Sequence, residues 1–230
     1  SAVLTSQEVI QYGVPIARIE MLNKEQMEIS IKYSKLENIK ASPTLFFEFH
    51  GSEESNKESI KIVEELSKNN HGSDFKWAES IEERNKLWKA RHDVYYSVKA
   101  LGQNMKVYST DICVPVSKLV ECISWAEKEV KDKGLIAPMV GHVGDGNFHS
   151  IILYDPNDKE KQKLIREYSD RLIDKALELE GTITGEHGIG LQKKHYLLKE
   201  HFDNLPVMKS IKRSLDPNNI MNPGKVFDLN

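Results

Sequence analysis

Apolar residues recur along the chain with two different periods, and the switch from one to the other marks out strands and helices. Ser6 to Tyr12 reads as a short helix and Pro15 to Leu22 as a strand. Asn23 is placed to cap a helix running through Tyr33, with Gln26 at the capping-box position. Thr44 to His50, after Pro43, is apolar and aromatic and reads as a strand. Glu53 to Lys68 carries Ile60, Val63 and Leu66 at helical spacing, and Phe75 to Ala78 reads as a short strand. Ser80 to Val98 predicts a long helix: Ser80 and Glu83 form a capping box, while Ile81, Leu87, Trp88, Val94 and Tyr95 make one apolar side. Lys106 to Val114 is strand-like, and Ser117 to Lys133 is a helix that Gly134 stops. Leu135 to His142 and Phe148 to Tyr154 flank a tight turn, and Asp158 to Glu180 is a long helix ended by Gly181. After a glycine-rich loop, Leu191 to Glu200 and Leu205 to Leu215 read as helices, and Pro217 blocks continuation.

Helices fall between the strands, yet the close hairpin near residue 145 requires antiparallel pairing. The expected fold class is therefore α+β, a mostly antiparallel sheet with helices packed mainly on one face. No linker-like stretch divides residues 1–230, so one domain is expected. Composition narrows the partners. With 32 Lys and Arg against 35 Asp and Glu, alternating along the helices, there is no basic face for nucleic acid. No apolar run approaches the roughly 18 residues of a membrane span; the longest, Leu135 to Val140, contains Pro138. Cys113 lies in a strand-like run and Cys122 in a helical one, so both are expected as reduced thiols. Ser1-Ala2 opens without an initiator Met and leads almost directly into a helix, the start expected of a piece of a longer protein. Targeting is therefore not legible here.

Candidate chemistry concentrates in two segments. In Gly141-His-Val-Gly-Asp-Gly-Asn-Phe-His149, Asp145-Gly146 is a two-residue hairpin signal, because both positions tolerate positive φ. With those residues in the turn, His142 lies directly opposite His149 on one face. Two such imidazoles either share a metal ion or form a hydrogen-bonded surface pair. The second segment, Thr184-Gly-Glu-His-Gly-Ile-Gly190, surrounds two ionisable residues with three glycines, the composition of a backbone that curls tightly. It has neither the dinucleotide spacing nor the Lys-Ser/Thr of a phosphate loop. Glu186 and His187 are either solvated residues of a connection or a third metal ligand with a neighbouring acid/base. His, His and carboxylate leave a coordination position open, as catalytic zinc sites do, and suit manganese or iron as well.

Three more strings accompany these: Leu87-Trp-Lys-Ala-Arg-His92, Tyr108-Ser-Thr-Asp-Ile-Cys-Val-Pro115 and Leu215-Asp-Pro-Asn-Asn-Ile-Met-Asn-Pro-Gly-Lys225. Together, in this order over essentially the whole chain, they resemble the C-terminal substrate (cap) domain of the flavin-linked oxidase family, nearest in pattern to its cytochrome-linked D-lactate dehydrogenases. The resemblance implies that His142, His149 and Glu186 hold a divalent metal, zinc or manganese, and that His187 is the general base. It implies that Arg91 holds the substrate carboxylate with help from Lys106, and that Asn222 and Lys225 lie in a terminal segment returning toward the flavin. Read without it, Arg91 is a helix-surface ion pair and Asn-Pro-Gly-Lys a chain-ending turn. Tyr95 stands where a small hydroxyl residue is found in hydroxyglutarate-type members, and Ile151 where they carry Asn; both make the pocket smaller and less polar, favouring lactate. The implied FAD is held mainly by an N-terminal domain absent from these residues. The implied partners are a small D-2-hydroxy acid and an electron acceptor such as cytochrome c, a quinone or a flavoprotein, in the mitochondrion. Glycolate or D-2-hydroxyglutarate as substrate, a non-redox metal hydrolase and a non-catalytic binding module are the alternatives.

Overall fold

The short apolar runs pair into one antiparallel sheet in the computed structural model, which describes residues 1–37, 39–78 and 80–229. Its strands are β1 (Arg18–Leu22), β2 (Thr44–Glu48), β3 (Lys106–Ser109), β4 (Ile112–Cys113), β5 (Met139–Gly141) and β6 (Asn147–Tyr154). The order is β2-β1-β5-β6-β3, with β4 continuing beside β6. Helices α1 (Ala2–Gln11), α2 (Lys24–Ser34), α3 (Glu53–Asn69), α4 (Ile81–His92) and α5 (Val94–Lys99) belong to the first half. Helices α6 (Leu119–Asp132), α7 (Lys159–Glu178), α8 (Lys194–His201) and α9 (Leu205–Leu215) belong to the second. No helix among the described residues is long and apolar enough to cross a membrane.

Strand alternation sorts the side chains onto two faces. On one, Ile19, Met21, Met139, Phe148 and Ile152 join Val9 of α1, Val63 of α3, Cys122 and Ala126 of α6 and Tyr168 and Leu172 of α7 in the larger core. On the other, Leu22, Val140, Ile151 and Leu153 pack with Met27 of α2 and Val94 and Val98 of α5 in a smaller core. That smaller layer leaves part of its face to polar residues, Glu20 and His149 among them.

Both predicted caps form, although the Gln26 side chain does not close a box at Asn23: its Nε2 donates to Ser30 and Ser97 instead. Asn23 Oδ1 accepts the N–H of Gln26 at 3.0 Å, and Ser80 and Glu83 form a reciprocal capping box. Ser80→Ala removes the side-chain acceptor and is expected to lower stability by about 1 kcal/mol. Urea unfolding measures this, and an unchanged midpoint would contradict the box.

Other expectations change in detail. The long helix over 80–98 breaks at Asp93, so that Arg91 turns into the sheet while Val94 and Val98 enter the smaller core. Strand 106–114 is interrupted at Thr110-Asp111, where Thr110 still bonds to β6 and the Asp111 side chain turns to the glycine-rich loop. Phe75 to Ala78 is not a strand; Phe75 packs on the larger core instead. The hairpin register slips by two residues, Val140 rather than His142 lying opposite His149. The longer turn closes where the His142 carbonyl accepts the N–H groups of Asp145 and Asn147. Gly146 (φ +83) lies in this turn against Val114, just past β4, where a Cβ would sit 2.0 Å from the Val114 carbonyl oxygen. Because the slip is even, the strand faces are unchanged.

Candidate active site

Glu20 is an acid inside an apolar strand, with its side chain only 2% exposed. One oxygen accepts from Arg91 Nε and Nη2 at 3.0 and 2.7 Å, and the other from His142 Nδ1 at 2.6 Å. Burial works to raise its pKa, but the His142 hydrogen bond and the Arg91 charge hold it below the ordinary carboxylate value. Reciprocally, the Glu20 hydrogen bond raises the His142 pKa against the effect of burial.

His149 stands on the same sheet face, its ring edge-on to that of His142 with centroids 6.2 Å apart. Its Nδ1 lies 2.8 Å from the Thr110 carbonyl. A carbonyl only accepts, so Nδ1 carries the proton and, in the neutral ring, Nε2 presents a lone pair. Burial pushes the His149 pKa down, favouring that neutral ring. Yet Nε2 faces Glu186 Oε1 at 2.9 Å, and His142 Nε2 lies 3.5 Å from Glu186 Oε2. Such a contact is made either by an imidazolium N–H donating to the carboxylate or by two ligands of one cation that sits off the line joining them. Outer hydrogen bonds from Nδ1 to a carboxylate and to a carbonyl are those that orient metal-ligating histidines. The ligand atoms of His142, His149 and Glu186 all lie within 4.8 Å of one another, so the donor set fits a divalent metal.

Asp111, His149 and His187 form a second cluster of the same span. Asp111 is unsuited to a metal, because both its oxygens already accept hydrogen bonds from protein donors. Burial would raise its pKa, but bonds from Thr184 and Lys193 and the Lys193 charge hold it far below the usual carboxylate range. His187 is half-exposed and stacks on His149, with centroids 4.9 Å apart and an interplanar angle of 10°. Its Nε2 lies 3.5 Å from Glu186 Oε1, on the solvent side of the cluster.

The remaining sequence-derived residues divide. Arg91 joins the cluster, but as the buried partner of Glu20 rather than an open surface cation. Tyr95 follows it across the break at Asp93, half-exposed and edge-on to Tyr96. Lys106 stands apart, opposite Tyr154 at the far end of β3, roughly 13 Å of strand from Thr110. Ile151 is buried in the smaller core beside Val94 and Val98. Asn222 and Lys225 form a terminal turn held by Lys225 Nζ to Asn222 Oδ1 at 3.1 Å. That turn docks on the glycine-rich loop through Val226 N–H to the Gly190 carbonyl. Sequence reasoning gave no role to Glu20 or Asp111; the available signal was a carboxylate set inside each of two apolar strand runs.

Residues 1–226 match the family described as FAD linked oxidases, C-terminal domain. A probable mitochondrial D-lactate dehydrogenase of Danio rerio is 47% identical over 231 residues, covering 100% of this chain and 46% of that protein. A mitochondrial D-lactate dehydrogenase [cytochrome] of Arabidopsis thaliana is 39% identical over 216 residues, 94% of this chain and 38% of that protein. The chain thus spans less than half the length of these curated relatives. Among solved structures, a 4-ethylphenol oxidase from Gulosibacter chungangensis superposes with a TM-score of 0.65 over 91% of this chain and 47% of that one. At 15% identity this likeness shows the fold alone.

Proposed function

The chain belongs to the family of FAD linked oxidase C-terminal domains, and from that premise we propose that it is the substrate- and metal-binding half of an FAD-dependent D-2-hydroxy-acid dehydrogenase that yields the 2-keto acid. The observation that carries the reading is the convergence of His142, His149 and Glu186, with both histidines held from behind. Zinc or manganese held by these three supplies Lewis-acid polarisation of a substrate oxygen. FAD, held mainly by residues outside this span, supplies the electron acceptor.

The chain's own residues bind, orient and move a proton. The Arg91 bonds to Glu20 use Nε and Nη2, which leaves the Nη1 edge for the substrate carboxylate. Glu20 fixes Arg91 and His142 together, so the carboxylate anchor and the metal site keep one spacing. His187 accepts the hydroxyl proton at its ring nitrogen, imidazole being the side chain suited to proton exchange near neutral pH. Tyr95 narrows the approach beyond Arg91, and Ile151 offers no polar group to a second carboxylate; a short acid such as D-lactate suits this site best. Lys106 shares the opposite sheet face with Tyr108 and Tyr154, which leaves Arg91 as the carboxylate anchor in this reading, and Asn222 and Lys225 face the flavin side through the terminal turn. The names of the relatives favour a cytochrome as acceptor and a mitochondrial location.

Dye reduction by the full-length flavoprotein tests the reading, with D-lactate compared against L-lactate, glycolate and D-2-hydroxyglutarate. D-Lactate is expected to give the highest kcat/KM, and His187→Ala to lower kcat by about 10²- to 10⁴-fold. Near-normal turnover in His187→Ala would remove the proton-transfer role. No turnover of any hydroxy acid would remove the activity.

A further inference from the structure

Asp111 interrupts the strand between β3 and β4, and its side chain is 1% exposed. Oδ1 accepts from Asn147 Nδ2 at 3.0 Å and from the backbone N–H groups of Gly185 and Glu186, each at 3.1 Å. Oδ2 accepts from Thr184 Oγ1 at 2.6 Å, His187 N–H at 3.1 Å and Lys193 Nζ at 3.0 Å. Three successive amides aimed at one carboxylate define a curled backbone of the kind that elsewhere cradles a bound anion. Here the cradle is filled by the protein's own side chain, so the loop is set before any ligand arrives.

We propose that Asp111 is a positioning residue that fixes where Glu186 and His187 point; the proposal rests on the reading of those two as metal ligand and proton acceptor. The adjacent residue completes the device, since the Thr110 carbonyl sets the His149 ring. Two consecutive residues at one strand break thereby govern three side chains of the site. Asn147 extends the clamp to the hairpin. Gly185 is required at the contact, because a Cβ there would lie 1.9 Å from Asn147 Nδ2 and 3.0 Å from Asp111 Oδ1. The competing account makes Asp111 only the charge partner of Lys193.

The two accounts separate on the purified protein through amide hydrogen exchange at residues 185–187 and titration with Co²⁺ followed by visible absorption. Asp111→Asn turns an NH₂ group toward the His187 N–H and Lys193. It is expected to speed exchange of the loop amides by about tenfold or more while α7 stays protected. It is also expected to weaken Co²⁺ binding by about 10- to 100-fold. Lys193→Met keeps the carboxylate on the three amides, and both readouts are expected within about threefold of the native protein. Equal losses in Lys193→Met, or unchanged loop exchange in Asp111→Asn, would overturn the proposal. If Asp111→Asn does not fold, Thr184→Val removes one donor and is expected to give smaller losses in both readouts; no change in either would again overturn it. A native protein that takes up no Co²⁺ removes the metal reading, while the exchange measurement still decides whether Asp111 sets the loop.

Discussion

The double substitution His142→Ala/His149→Ala is expected to take the protein from about one equivalent of tightly held zinc or manganese to none. Each histidine contributes a nitrogen whose direction is fixed from behind, His142 by Glu20 and His149 by the Thr110 carbonyl. Removing both leaves Glu186, a half-exposed carboxylate on a loop, which holds a divalent ion no better than any surface acid. Elemental analysis after exhaustive dialysis measures the loss, and urea unfolding with and without added metal measures its linkage to stability. The native protein should gain stability from the metal and the double variant should not. Equal metal content in the two proteins would show that the ion sits elsewhere; no metal in either, after reconstitution, would show that these ligands do not assemble in this chain.

The sequence made much of this site legible and left its supports hidden, for one physical reason. His142, His149, Glu186 and His187 announce themselves because glycines and a hairpin signal surround them, and such signals are local. The even register slip even preserved the shared face on which the histidine pair depends. Capping at Asn23 and Ser80 was legible for the same reason, since three residues suffice to define it. Glu20 was not. In Arg18-Ile19-Glu20-Met21, strict alternation reads as polar side out, and nothing nearby says that Arg91, 71 residues later, covers that side. Asp111 was hidden likewise, its donors arriving from 73 to 76 residues onward and from Lys193. The break at Asp93 follows from the same long-range pairing: an apolar stripe predicts one helix through Val98, but burying Arg91 against β1 and Val98 against α2 asks for two directions. Local spacing encodes the groups that do chemistry, while the carboxylates that hold them in place depend on tertiary contacts.

Arg91→Met is expected to cost up to about 3–5 kcal/mol of folding stability, because it leaves the buried Glu20 carboxylate with His142 alone of its two partners. The Glu20 and Arg91 side chains are 2% and 10% exposed, so water compensates little for the loss. The pH dependence follows from the direction of the Glu20 shift. Its folded pKa lies below the ordinary value of 4.5, so its contribution is complete above that value and disappears as pH falls through the depressed one. Without Arg91 that depression shrinks, so less stability remains to be lost to acid, and the gap between the native protein and the variant should narrow as pH falls below 4.5. Urea unfolding between pH 7 and pH 3 measures both effects; native-like stability in Arg91→Met across that range would show that the pair is not formed. The result also bears on function, since an inactive Arg91 variant is ambiguous between a lost substrate anchor and a disturbed fold. Glu20→Gln/Arg91→Met resolves this by removing both charges. It should recover most of the stability lost in the single variant, while KM for the D-hydroxy acid in the full-length enzyme stays raised. Recovery of stability and KM together would assign Arg91 to the support of the sheet and His142, leaving the carboxylate of the substrate to another cation.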